Sequence, residues 1–157
     1  MSKVLVGFFT KGGHTRKMAE CISRTISAEG HDTDLKNISD IAVDSLPEYD
    51  AILLGTPVYY GAMAAEIKVL LDKSVKYQGK LEGKVGGAFS SSANVGGGNE
   101  TAILNILHAF LIHGMIVQGM AHGDHYGPVS VESISERSIE NCENFGKNIT
   151  ALLERLS

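Results

Sequence analysis

Short apolar runs alternate along the chain with longer stretches in which apolar residues recur every three or four positions. Lys3 to Phe9 (Lys-Val-Leu-Val-Gly-Phe-Phe) is nearly continuous and ends at Thr10-Lys11-Gly12-Gly13, the pattern of a strand covered on both faces. Met18, Ile22 and Ile26 follow at four-residue spacing and predict a helix closed by Gly30. Asp32–Lys36 reads as a weaker strand, and Asn37–Asp50 as a short polar segment with one helical turn. Ala51–Pro57 predicts a strand stopped by its proline. A helix resuming near Ala64 turns Ile67, Leu70 and Leu71 inward, and Lys84–Phe89 predicts the next strand. Glu100–His113 reads as a helix, Met115–Met120 as a strand, and a last helix from about Ser135 buries Ile139, Cys142, Ile149, Leu152 and Leu156. Five strands alternating with helices predict a doubly wound, five-stranded parallel sheet with helices on both faces, formed by one domain over residues 1–157. Ligands of such sheets bind outside the carboxyl ends of the strands, near the point where the strand order reverses.

Composition narrows the possibilities. Lys plus Arg number 14 against 18 Asp plus Glu, a net charge of -4 without a basic stripe, which argues against a nucleic-acid groove. No apolar run approaches the length of a membrane span or a signal sequence. Cys21 and Cys142 lie far apart in sequence, match no metal-binding spacing, and read as small buried hydrophobes in a reduced, cytoplasmic protein without metal. Glycine is in excess, 18 of 157 residues, with no repeat to explain it, so local backbone geometry must.

Three strand ends carry the chemistry. Thr10-Lys-Gly-Gly-His-Thr15 joins the first strand to the first helix, and its hydroxyls, glycines and helix-terminal N–H groups suit a phosphate. A plain capping turn through Thr15 is the alternative. The loop lacks GxxxxGK[ST] and GxGxxG, which disfavours P-loop hydrolysis and Rossmann-type dinucleotide binding. Thr56-Pro-Val-Tyr-Tyr-Gly-Ala-Met63 puts two tyrosines where they can stack on a flat ring or pack on the next helix. Ser90-Ser-Ser-Ala-Asn-Val-Gly-Gly-Gly-Asn-Glu100 has three consecutive glycines, read as backbone brought close to a ligand rather than as a flexible lid. A phosphate, a flat ring and backbone hydrogen bonding together point to flavin mononucleotide (FMN).

Those motifs carry a resemblance. Phe8-Phe-Thr-Lys-Gly-Gly-His-Thr15 resembles the phosphate loop of flavodoxin-like proteins. Gly55-Thr-Pro-Val-Tyr-Tyr-Gly-Ala-Met63, Gly96-Gly-Gly-Asn-Glu-Thr101 and His113-Gly-Met115 resemble the WrbA-type NAD(P)H:quinone oxidoreductases. The resemblance implies a flavodoxin-like three-layer α/β/α fold. It places FMN phosphate on Thr10, Lys11, Gly12, Gly13, His14 and Thr15. The flavin ring would meet Pro57, Val58, Tyr59, Tyr60 and Gly61, with backbone contacts from Ser92, Ala93, Asn94, Val95, Gly96 and Gly97. His113 and Tyr126 would approach the ring, in this chain or from a neighbouring subunit. Three departures stand out: Gly12 where the family commonly has an aromatic, a shorter segment between the second and third strands, and no Trp.

The implied activity is transfer of two electrons from NADH or NADPH, through FMN, to a quinone-type acceptor. His113 is the candidate proton donor to the quinol oxygen, with capping of its own helix as the alternative. The second reading is a flavodoxin carrying single electrons between protein partners. Such carriers dock through a strongly acidic face, whereas Lys11 lies in the flavin loops here. Helix Glu100–His113 has apolar residues on nearly all sides, including Leu104, Leu107 and Leu111, which predicts a homo-oligomer with this helix at the interface.

Overall fold

The computed structural model describes residues 1–157. The sheet is built on β1 (Lys3–Phe8), β2 (Asp32–Asn37), β3 (Ala51–Tyr59) and β5 (Val85–Ser92), which run parallel in the order β2-β1-β3-β5. β4 (Ala62–Met63) folds back antiparallel on β3, while β6 (Ile116–Val117) and β7 (Val129–Val131) both pair in parallel with β5. Strand order reverses between β1 and β3, so the carboxyl ends of these two strands open the crevice where ligands of such sheets lie.

Alternation along the strands feeds two cores. Val4, Val6 and Phe8 of β1 join α1 (His14–Ala28) and α4 (Glu136–Leu156) in one cluster, through Met18, Ile22, Ile26, Phe145, Ile149 and Leu153. Leu5, Ile52, Leu54 and Ala88 face the other way, onto Ile67 and Leu70 of α2 (Ala65–Lys73) and Ile103, Ile106 and Phe110 of α3 (Asn99–Ile112). β1 and β3 are therefore apolar on both faces, which is why their sequences read as continuous runs, whereas the edge strand β2 is polar and half-exposed.

Several boundaries depart from the sequence expectation. β3 does not stop at Pro57: it continues to Tyr59, because Thr56 and Pro57 stay in register with Ser90 and Ser91. β5 likewise extends to Ser92, held by pairing of Ser90–Ser92 with β7. The expected strand Met115–Met120 is two residues long, and its place along β5 is completed by β7 after an excursion through 118–128. Met120 leaves the strand line to fill the α1/α4 core. The segment after β2 forms two 3₁₀ turns, Ile38–Asp40 and Val43–Glu48, where the sequence predicts a single helical turn. Its Ile38, Ile41, Leu46 and Tyr49 are buried and cover the sheet beside α2. At the chain end Leu156 is half-exposed rather than facing in. The expected outward apolar face of α3 is narrower than its sequence indicates: Leu107 is buried and Leu104 packs on the same core, leaving Leu111 and Ile112 exposed.

Candidate functional site

α1 begins at an unusual cap. Gly13 occupies the N-cap position at φ 93°, a left-handed conformation that favours glycine, and no side chain caps the helix. Gly13 N–H donates to Thr10 Oγ1 at 2.9 Å, which closes the turn. Thr15 is not a cap: it lies inside the helix, buried, with Oγ1 2.8 Å from Ser91 Oγ. The first N–H groups of α1 thus point out of the strand end without a side-chain acceptor, with Lys11 and His14 beside them.

The second and third loops are fastened to each other. Tyr60 (φ 49°) and Gly61 (φ 77°) form the two-residue turn between β3 and β4, a hairpin with both central residues left-handed. Tyr60 projects fully into solvent at its tip. Thr101 Oγ1, in the first turn of α3, donates to Gly61 O at 2.6 Å and has Gly98 O at 2.9 Å. Gly98 is the N-cap of α3 at φ 106°, so close to the hairpin that a Cβ there would stand 2.6 Å from Gly61 Cα. Asn99 is the anchor beneath. Buried to 3% exposure, its Nδ2 donates to Ser90 Oγ at 2.9 Å and Ser90 O at 3.3 Å, and its Oδ1 accepts from Ser92 Oγ at 2.6 Å.

A cleft of about 230 Å³ lies where the strand ends converge, lined by Thr10, Lys11, Gly12, His14, Thr15, Pro57, Val58, Tyr59, Ser92 and Ala93 from the sequence-derived set. Gly13 borders it as the helix cap, while Tyr60 and Gly61 form the hairpin tip. Asn94, Val95 and Gly96 are exposed on the third loop, with Gly97 half-buried behind them. Ser91 and Glu132 also line the cleft. Neither is singled out by the sequence, because Ser91 reads as one of three serines and Glu132 follows a strand too short to show a period. Glu132 adopts φ 62°, one of two non-glycine residues on that side of the backbone map. Asn99 and Thr101 stand in the sequence only as part of the Gly96–Thr101 motif, where their bonds to Ser90, Ser92 and Gly61 are not visible.

An apolar groove of about 1000 Å³ adjoins the cleft and shares Lys11 and Tyr59 with it. Its walls are Phe9, Ala62, Met63, Ala65 and Val69, with Glu66, Lys68 and Asn105 as the polar residues.

Two expected site residues lie elsewhere in their own chain. His113 is the C-cap of α3, 14 residues and so about 21 Å along the helix from the loop that starts it. It is 6% exposed, and Nε2 is 2.7 Å from Ser74 Oγ. The Ser74 hydroxyl donates to Leu71 O at 2.6 Å, so His113 donates through Nε2 and its buried Nδ1 is left without a partner. This is a helix-end residue stitched to the 3₁₀ turn Ser74–Tyr77, not an acid over the cleft. Tyr126 is half-exposed on the 118–128 excursion and does not line the cleft.

Burial holds the His113 imidazole below its ordinary value of 6.5. The unfolded chain then takes up this proton more readily than the folded one. The contribution is therefore fully present above about pH 6.5 and lost as pH falls toward the depressed folded value. Urea midpoints measured at about pH 7.5 and pH 5 should fall further in the wild type than in His113→Gln, which removes the titration. Equal falls in the two proteins would exclude His113 as the source.

Comparison with known proteins agrees with this geometry. The family model described as Flavodoxin domain matches residues 5–107. The chain is 33% identical to a flavodoxin of Clostridium saccharobutylicum over 161 residues, covering 98% of this chain and 99% of that one. It is 33% identical to an NAD(P)H dehydrogenase (quinone) of Rhodopseudomonas palustris (strain BisA53) over 145 residues, covering 78% of this chain and 73% of the relative. Among solved structures, a WrbA-like flavodoxin from Agrobacterium tumefaciens superposes with a TM-score of 0.86 at 24% identity, over 100% of both chains.

Proposed function

The chain belongs to the flavodoxin family, and on that premise we propose that it is an FMN-binding oxidoreductase taking electrons from NADH or NADPH and passing two to a quinone-type acceptor. The observation that carries this reading is the convergence of all three loops on one cleft with an apolar groove beside it.

The residues present suit the cofactor. α1 has no side-chain cap to compete with a phosphate, and a Cβ built at Gly12 or Gly13 would meet nothing within 4 Å, so that loop leaves room for a bulky anion. Thr10–Thr15 would hold the phosphate, with Lys11 and His14 adding donors. Pro57, Val58, Tyr59, Tyr60 and Gly61 would present the hairpin to the ring, and an exposed tyrosine held at φ 49° is costly unless it packs on something flat. Ser92, Ala93, Asn94, Val95, Gly96 and Gly97 would supply backbone groups, positioned by Asn99 from below. When bound, FMN supplies the electron-transfer chemistry, and the protein's part is to hold and orient it. The groove walled by Phe9, Met63 and Val69 would seat the acceptor on the side of the cleft that Tyr59 and Lys11 share.

Residues 1–157 act in this reading as one FMN-binding unit. A second copy would pack on the exposed Leu111 and Ile112 beside Val75. No helix is long and apolar enough to cross a membrane.

One observation favours the carrier reading: 98% of this chain aligns with the Clostridium flavodoxin, against 78% with the Rhodopseudomonas dehydrogenase. A single experiment separates the two. Full-length protein is mixed with FMN, freed of excess ligand, and followed by visible absorbance without oxygen. Colour retained, bleached by NADH or NADPH and restored by a quinone is the expected result. Bleaching by dithionite but by neither nucleotide assigns the carrier role. Failure to retain FMN overturns both.

A further inference from the structure

Cys21 and Cys142 are 121 positions apart in sequence and adjacent in the fold. Cys21 lies on the buried face of α1 at 1% exposure and Cys142 on that of α4 at 0%. The Cys21 Sγ is 3.8 Å from Ile139 O, in the turn of α4 that carries Cys142. One turn further along both helices, Gly146 lets α4 press on α1 so closely that a Cβ there would stand 2.9 Å from Thr25 Cγ2. Close helix packing of this kind is the setting in which two facing cysteines can meet the Cα separation of about 4.4–6.8 Å that a disulfide needs. No third His, Cys, Asp or Glu joins them in a set that could hold a metal.

We propose that Cys21 and Cys142 form a redox modification site, a thiol pair that closes to an intramolecular disulfide between α1 and α4 when a hydroperoxide oxidises it. The proposal is independent of the flavin reading. The two sulfurs divide the labour. The neighbouring Cys142 thiol holds that of Cys21 below its ordinary value, with Arg24 adding to the effect against burial and Glu143. Cys142 is pushed up by its Cys21 neighbour and by burial. Cys21 is therefore the attacking sulfur. Its thiolate bonds to one peroxide oxygen, the O–O bond breaks and water leaves after protonation, giving a sulfenic acid. Cys142 then loses its proton, its sulfur bonds to that of Cys21, the S–O bond breaks and a second water leaves. Two thiols and one hydrogen peroxide thus yield one disulfide and two waters.

The test uses folded full-length protein treated with hydrogen peroxide, then denatured without reductant. The expected result is an intact mass lower by about 2 Da, for two hydrogens lost, and a linked peptide pair containing Cys21 and Cys142. The melting temperature should rise by about 5 °C or more, since the bridge closes a long loop, and should return on adding dithiothreitol. Cys142→Ala should instead retain one oxygen on Cys21, captured by dimedone. Two thiols still alkylatable, oxygen added at both sulfurs without a link, or a bridge between two chains would each overturn the proposal. The wild-type mass decides the matter even if the variant folds poorly.

Discussion

Replacing Gly98 by alanine is expected to weaken FMN binding by about tenfold or more and to lower the unfolding free energy by about 2 kcal/mol. Two effects add at this position. Its φ of 106° lies where an L side chain is strained, and the added Cβ would stand 2.6 Å from Gly61 Cα and 3.1 Å from Thr101 Oγ1. The neighbour is backbone, so it cannot rotate away. Relief requires the hairpin tip and the start of α3 to separate, which breaks the Thr101–Gly61 hydrogen bond of 2.6 Å. That separation moves Tyr59, Tyr60 and the third loop together, the groups assigned to the flavin ring. Gly79→Ala is the control. It is also left-handed, at φ 79°, but its Cβ would meet nothing within 4 Å. It should lose about 1 kcal/mol and leave FMN affinity unchanged. Fluorescence titration and urea unfolding measure both quantities. Equal behaviour of the two variants would show that backbone strain, not loop-to-loop contact, is what matters at Gly98.

The sequence exposes this site unevenly, for physical reasons. Gly12, Gly13 and the Gly96–Gly98 run are visible because several glycines beside hydroxyls at a strand end serve few purposes other than close approach of backbone. The strands of the sheet centre are visible because burial on both faces leaves an unbroken apolar run. Asn99 and Thr101 are not visible, since one amide and one hydroxyl acquire meaning only from Ser90, Ser92 and Gly61 across the fold. Nor is the edge of the sheet. β6 and β7 are too short to show a period, and they share one row along β5 only because 118–128 loops out between them. Asn37–Asp50 looks polar because its apolar residues are scattered, yet Ile41, Leu46 and Tyr49 reach the core from short 3₁₀ turns that carry no α-helical period. His113 misleads in the opposite sense. The resemblance implies a place for it beside the flavin ring, but within its own chain the length of α3 carries it away from the cleft that its first turn helps to build.

Gly55→Ala is expected to cost about 3 kcal/mol of stability. Parallel register places Phe8, Gly55 and Phe89 in one row across β1, β3 and β5. Both phenylalanines belong to the α1/α4 core, and Phe89 is fully buried. The Phe89 ring lies over Gly55, so a Cβ there would stand 2.1 Å from its Cε2 and 2.3 Å from its Cζ. The ring cannot swing aside, because a close-packed interior leaves it no free volume. β3 cannot shift either, being hydrogen-bonded to a strand on each side. The clash must therefore be taken up by the core beneath Thr56, Pro57, Ser90 and Ser91, of which Pro57 and Ser91 line the cleft. Phe89→Leu alone should also destabilise, by about 1–2 kcal/mol, through lost burial and a residual cavity. In the double variant, however, the smaller side chain makes room for the new methyl. Its loss should fall short of the sum of the singles by about 1–2 kcal/mol, read from urea midpoints with unchanged slopes. Strict additivity would mean that the cost at Gly55 comes from the strand backbone and not from the ring. FMN affinity should follow the same pattern, reduced in Gly55→Ala and recovered in the double variant, because the ring reaches the cofactor loops only through the strand ends it supports.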